Sequence, residues 1–288
     1  MMKNVWLYYF IAACQGAWFT EPVWSFYFKK FADYSTMAFW FSILNVAWIL
    51  FEIPTGMIAD KYGRKLATVV GTMFVTLGLG MVALTSDFWI WIFGLLFQNL
   101  GRSFISGSME ALIYDDLKHN HEEHRYDQIA ANKSRITIAA YAIAVLIGGL
   151  VGKIYLTIPY LLFMTVSMAS VVASFNLTEH SINLPKESGS QLSLEGIRQF
   201  FKPKLKRYLI LSWLILFIYF VFDWGMAKPA MAVKFGFFET GQGILYAFIA
   251  LLNVIVLRYL PLARRKISMS TISFYIFFFL CEISVIAK

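Results

Sequence analysis

The chain has 288 residues, of which 59% are hydrophobic, 18% aromatic and only 15% charged, where a soluble domain carries about 25% charged residues. The apolar residues run in long blocks rather than at amphipathic spacing, which excludes a soluble globular domain and points to a polytopic membrane protein. The formal charge of +8 has no soluble basic domain to carry it to nucleic acid; basic residues between spans set orientation in the bilayer.

A hydrocarbon core of roughly 30 Å needs about 20 helical residues. On that measure nine spans are predicted, at 5–28, 36–59, 66–85, 88–112, 136–153, 159–177, 208–227, 240–260 and 268–287. Helices are required, because the runs lack the alternation of a membrane strand. The first run is far longer than a signal-peptide core and has no small-residue cleavage site, so it is read as a retained span. Cys14 and Cys281 lie in apolar runs far apart and read as small buried hydrophobes.

With the N-terminus inside, the inner segments hold eighteen Lys and Arg residues and the outer segments five. That bias puts the N-terminus in the cytoplasm and the chain in the cell membrane, inner or plasma, as a multi-pass protein. Two inner connections are long, 114–135 and 178–207. The second holds the turn-rich Pro185-Lys186-Glu187-Ser188-Gly189-Ser190 and a basic end suited to anionic lipid headgroups. It divides the chain into a six-helix bundle (1–177), a cytoplasmic central loop (178–207) and three further helices (208–288). The halves share weak likenesses. Glu21 and Asp223 stand late in the first and seventh spans, and a basic turn follows both the second and the eighth. Parallel six-span repeats are a transporter architecture.

Ionisable residues within spans are costly and usually functional. Arg102, midway along the fourth span, either holds a carboxylate ionised until solute or proton competes for it, or is a structural arginine paired to a carbonyl or acid. Glu52, two residues before Pro54, is a coupling carboxylate in a cavity or a member of a structural pair near the inner face. Glu21, before Pro22, and Asp223 line the cavity or cap the outer interface. Glu282 lies in the ninth span without a partner that the sequence names. Gly148-Gly149-x-x-Gly152 closes the fifth span and suits tight helix packing.

His121-x-x-His124 reads as a solvated loop rather than a metal site. There is no phosphate-binding Gly-rich loop with its lysine and no nucleophile–base constellation, so the expectation is neither an ATP-driven pump nor an enzyme, with no metal or cofactor.

The turn between the second and third spans is the pivotal motif. Gly56-x-x-x-Asp60-x-x-Gly63-Arg64-Lys65 resembles the signature loop of the major facilitator superfamily at every fixed position. Physically, Gly56 admits a neighbouring helix. Asp60 favours the positive end of the third helix. Gly63 permits a tight turn, and Arg64 and Lys65 anchor the chain at the headgroups. The fourth span's Ser106–Asp115 run also resembles one common in bacterial efflux-type members.

The resemblance implies a conformational latch of Gly56, Asp60, Gly63, Arg64 and Lys65, with Arg64 paired to Glu110 or Asp115 and the loop acid engaging the eleventh span. Arg102 is similar to the family's fourth-span arginine, associated with proton coupling in drug antiporters, although the following glycine falls one residue late. The fifth-span glycines lack the antiporter motif's proline.

The resemblance therefore implies an all-α protein of major facilitator type, with a six-helix N-terminal bundle and the first three helices of the second. Such a protein is a secondary active transporter moving a small solute by alternating access, with protons as coupling ion and drug or metabolite efflux as direction. The alternatives are a transport-incompetent truncated fragment, since the family has twelve spans, and a sugar or metabolite uptake symporter. The expected partners are solute, protons and membrane lipids, with no nucleic acid.

Overall fold

The computed structural model describes residues 2–179 and 227–264. These form α1 (Met2–Gly16), α2 (Trp24–Phe28), α3 (Tyr34–Tyr62), α4 (Arg64–Leu84), α5 (Phe88–His119), a 3-10 turn (Glu123–Arg125), α6 (Tyr126–Gly152), α7 (Ile158–Phe175), α8 (Ala227–Lys234) and α9 (Glu239–Arg264). The central loop from 180, the seventh and ninth spans, Asp223, Cys281 and Glu282 lie outside the described residues. The chain divides into two compact units. One comprises 1–184 with 237–251, the other 185–236 with 252–288. The structural account below concerns the first.

Helix starts follow local chemistry. Asp33 caps α3 by accepting from the Thr36 amide at 3.1 Å. Asp87 caps α5 by accepting from the Trp89 and Ile90 amides at 2.8 and 3.0 Å, and Pro159 stands in the first turn of α7. Four of the described helical segments are long and apolar enough to cross a membrane: Tyr34–Tyr62, Arg64–Leu84, Glu123–Gly152 and Ile158–Phe175.

α4 is the centre of the unit and α3 its rim: 56% of the α4 apolar window is buried against 11% for α3. α4 meets α5 through two glycine pairs. A Cβ on Gly78 would stand 2.4 Å from the Gly94 carbonyl oxygen, and one on Gly71 would stand 2.7 Å from that of Gly101. In each helix the two glycines are seven residues apart, so they recur on one face and let the antiparallel backbones touch.

On its other side α4 meets α7 through hydroxyls. Thr72 and Ser174 share a hydrogen bond of 3.1 Å, Thr76 and Ser167 one of 2.7 Å. Gln15 of α1 joins the same row through Ser170 at 2.7 Å. Small polar residues bind helices together here because lipid offers their hydroxyls no partner. Tyr8, Val75, Leu79, Ile113, Leu117 and Phe163 fill the adjoining apolar core.

The first apolar run differs from the single span predicted for 5–28. α1 stops at Gly16 and α2 begins at Trp24, so the break comes before Pro22. Its cause lies in α6. Gly148 has no side chain, and the Phe19 carbonyl occupies the space: a Cβ there would be 1.9 Å from the oxygen. Within the break the Trp18 amide donates to Gly16 O and the Phe19 amide to Ala17 O, both at 2.9 Å. The Trp18 indole N–H donates to Gln15 O at 2.9 Å. Local bonds thus replace the helical ones and keep the backbone groups of the break paired.

The other α6 glycines also take close neighbours. Gly149 meets Gly243 of α9, and its carbonyl accepts from Thr240 at 3.2 Å. Gly152 faces Val23.

Candidate functional site: the α3–α4 hinge and the charges along α5

A single residue joins α3 to α4. Gly63 has φ 108 and ψ 143, a conformation open in practice only to glycine. A Cβ on it would stand 2.8 Å from a Glu179 carboxylate oxygen. That carboxylate accepts from the backbone amides of Arg64 at 2.7 Å and Lys65 at 3.1 Å. It therefore caps the unsatisfied amides of α4 and meets the positive end of the helix dipole.

Glu179 is held in place from α1. The Asn4 side chain donates to Thr178 O at 2.9 Å and accepts from the Thr178 amide at 3.0 Å and its hydroxyl at 2.9 Å. Asn4 itself is buried.

This corrects two readings of the motif. Asp60 was expected to serve the start of the third span, but it lies in the last turns of α3, where the helix dipole does not favour a carboxylate. It is exposed, and Glu179 takes the expected role. Gly56 was expected to admit a neighbouring helix, yet among the described residues nothing lies within 4 Å of a Cβ built there.

Arg64 reaches across to α5. Its guanidinium pairs with the Asp115 carboxylate and donates to the Ala111 carbonyl at 3.0 Å. Both side chains are largely covered, at 18% and 19% exposed, so the pair sits where screening by water is reduced. Lys65, beside it, uses its backbone amide on Glu179.

Of the two acids offered to Arg64, Glu110 is not the partner. Five helical residues separate it from Asp115, a rotation of about 140° around the axis at 3.6 residues per turn. Asp115 therefore faces α4 while Glu110 faces α1 and α6. There its carboxylate accepts from the Tyr8 hydroxyl, from the Tyr126 hydroxyl at 3.3 Å and from the Lys133 ammonium at 2.8 Å.

Further along α5, Arg102 lies over the Trp18 ring, 4.2 Å from its centroid, a cation–π contact with the broken segment of the first span. Glu21, in the same segment, is within electrostatic reach of Arg102. Glu52 of α3 accepts from the Ser106 hydroxyl at 3.2 and 3.3 Å, which ties α3 to α5 below the Pro54 position.

Four polar contacts are thus strung along α5: Arg102 with Trp18 and Glu21, Ser106 with Glu52, Glu110 with its three donors, and Asp115 with Arg64. Sequence reasoning missed Asn4, Glu179, Tyr8, Tyr126 and Lys133. Glu179 had one available signal, an acid directly after an apolar run. Apolar run length leaves Lys133 in the connection 114–135, but α6 already begins at Tyr126.

A bundle of membrane-length helices with a one-residue glycine hinge and charges along an inner helix is the architecture of a polytopic helical membrane protein. Residues 5–286 match the Major Facilitator Superfamily, and the chain belongs to that family.

Among its relatives is the uncharacterized MFS-type transporter YxaM of Bacillus subtilis (strain 168), 24% identical over 147 residues, covering 51% of this chain and 36% of that protein. Another is the uncharacterized transporter BU466 of Buchnera aphidicola subsp. Acyrthosiphon pisum (strain APS), 31% identical over 109 residues, covering 38% of this chain and 26% of that protein. The matches thus span about a third or less of each of these relatives.

The crystal structure of the nucleoside transporter NupG is similar with a TM-score of 0.68 at 14% identity, covering 92% of this chain and 67% of that one. A mutant of the same transporter gives 0.74 at 13% identity over 92% and 68%. At such identities the likeness concerns the fold.

Proposed function

We propose that the chain acts as a secondary active transporter, moving a small solute across the cell membrane by alternating access with protons as the coupling ion, in the direction of drug or metabolite efflux. The observation that carries this reading is the Arg64 clamp. One guanidinium bonds both the Asp115 carboxylate and the Ala111 carbonyl, and the helix that bears it starts at a one-residue hinge. Such a clamp resists sliding of α4 against α5 while it is closed, and a contact that closes in one state and opens in another is what an alternating cycle uses.

The lysine and arginine bias puts this hinge at the cytoplasmic face, with the N-terminus inside. Two halves related by the central loop would rock about a site near the bilayer midplane, where Arg102, Trp18 and Glu21 meet at the broken first span. A discontinuous helix at that depth exposes backbone carbonyls only where they face protein or a cavity. Arg102 and Glu21 are the candidate coupling pair, Gly63, Lys65 and Asp60 complete the latch with Arg64, and Asp223 and Glu52 are further cavity or coupling acids.

The test is solute movement in vesicles under an imposed pH gradient, with and without an uncoupler. Arg102→Ala and Asp115→Asn are expected to abolish proton-linked movement while membrane insertion stays intact. Unaltered transport by both variants refutes the assignment, and movement inward with the proton replaces efflux by uptake symport.

A further inference from the structure

Glu110 has a setting unlike that of the other acids on α5. Its Oε1 accepts from Lys133 at 2.8 Å, while its Oε2 accepts from the phenols of Tyr8 and Tyr126. The donors come from two helices, α1 and α6, and converge on one planar two-oxygen group. Tyr8 is fully buried, so its hydroxyl is fixed by packing. Lys133 and Glu110 are 30% and 32% exposed, so the ion pair remains open to a solute. The ammonium also lies 6.0 Å from the centroid of the Tyr8 ring. Three donors thus converge on one carboxylate, that of Glu110.

We propose that Lys133, Tyr8 and Tyr126 form a binding subsite for a monocarboxylate solute, closed by Glu110 when ionised and opened when Glu110 takes up one proton. The charge balance supports the class of ligand. Lys133 and ionised Glu110 sum to zero, protonation leaves +1, and one solute carboxylate restores zero. A dianion such as sulfate would leave an uncompensated charge in a half-buried place, which is costly.

The other charged groups facing the cluster are already engaged or lie apart. From α4, Arg64 is paired to Asp115. From α3, Glu52 is bonded to Ser106, one turn before Glu110. On the approach to α6, Arg125 is paired to Glu122, and Asp127 follows Tyr126 in the chain. Lys133 is thus the cation left to receive the solute among the described residues that touch Glu110. The proposal names a solute class for the transporter and rests on that reading.

The experiment is calorimetric titration of the purified protein in detergent with benzoate, and with sulfate as comparison. For the unaltered protein, benzoate binding is expected to take up one proton, so its affinity falls as pH rises, by up to about tenfold per pH unit. Glu110→Gln is expected to bind benzoate independently of pH, as tightly as the unaltered protein does at low pH. Lys133→Gln removes binding, including in the Glu110→Gln background, and Lys133→Arg, checked for folding by size exclusion, retains it.

Binding without pH dependence, no gain in Glu110→Gln, undiminished binding in the Lys133→Gln double variant, or a preference for sulfate overturns the proposal. The assay uses no membrane and no gradient. Its failure leaves the transporter reading standing, and failure of transport in vesicles leaves this binding result untouched.

Discussion

Replacing Glu179 by alanine removes both hydrogen bonds to the start of α4 without touching the Arg64 side chain. The lost bonds run to the Arg64 amide at 2.7 Å and the Lys65 amide at 3.1 Å. Loss of a helix N-cap costs about 0.5–2 kcal/mol, and loss of a carboxylate from the helix N-terminus about 0.3–1 kcal/mol. The two overlap, so the expected loss is about 1–2 kcal/mol, which corresponds to a factor of roughly 5–30 in an opening equilibrium.

Hydrogen exchange of the Arg64 and Lys65 amides in micelles reads that equilibrium directly, and Glu179→Ala is expected to speed it by that factor. Gly63→Ala gives an independent check. Its Cβ would collide with the same carboxylate and would force alanine to φ 108, adding backbone strain of about 1–3 kcal/mol. The double variant should therefore lose less than the sum of the singles, because the collision is gone but the strain is not. Unchanged exchange in Glu179→Ala, or strict additivity in the double variant, refutes the idea that Glu179 caps the hinge.

Gly78→Ala should separate α4 from α5. The new Cβ would stand 2.4 Å from the Gly94 carbonyl oxygen, against an ordinary C···O contact of about 3.3–3.6 Å, so the helices must part by about 1 Å. Overpacking of this kind costs about 1–3 kcal/mol, to be measured as a lower midpoint of unfolding in mixed micelles; an unchanged midpoint contradicts the close approach. Asn4→Ala should loosen Thr178 and reproduce part of the Glu179→Ala effect on Arg64 exchange, whereas a change confined to the first turn of α1 argues against the relay.

Asp33 is held below the usual carboxylate range by hydrogen bonding from Thr36. A depressed folded pKa means the cap stabilises α3 above the unfolded value and is lost as pH falls through the folded one. Acidification should therefore fray the start of α3 in the unaltered protein but not further in Asp33→Ala, as exchange at the Thr36 amide would register.

The sequence alone determined what the bilayer dictates locally. Span length, the helical class and the glycine turn at Gly63 follow from apolar run length and backbone sterics, which need no partner to be read. The breaks and pairings needed tertiary structure. Pro22 announces a kink or an end within residues 5–28, but not that the helix already stops at Gly16, where the Phe19 carbonyl packs against the bare Gly148 backbone of another helix.

Asp115 and Glu110 are equivalent as letters. Their positions about 140° apart on α5 give Arg64 to one and Lys133 to the other. Glu179, 115 residues from Arg64 in sequence, became its cap only because Asn4 pins the chain beside it. Local propensity is a property of a segment, whereas the identity of a charge's partner is a property of where other segments come to rest.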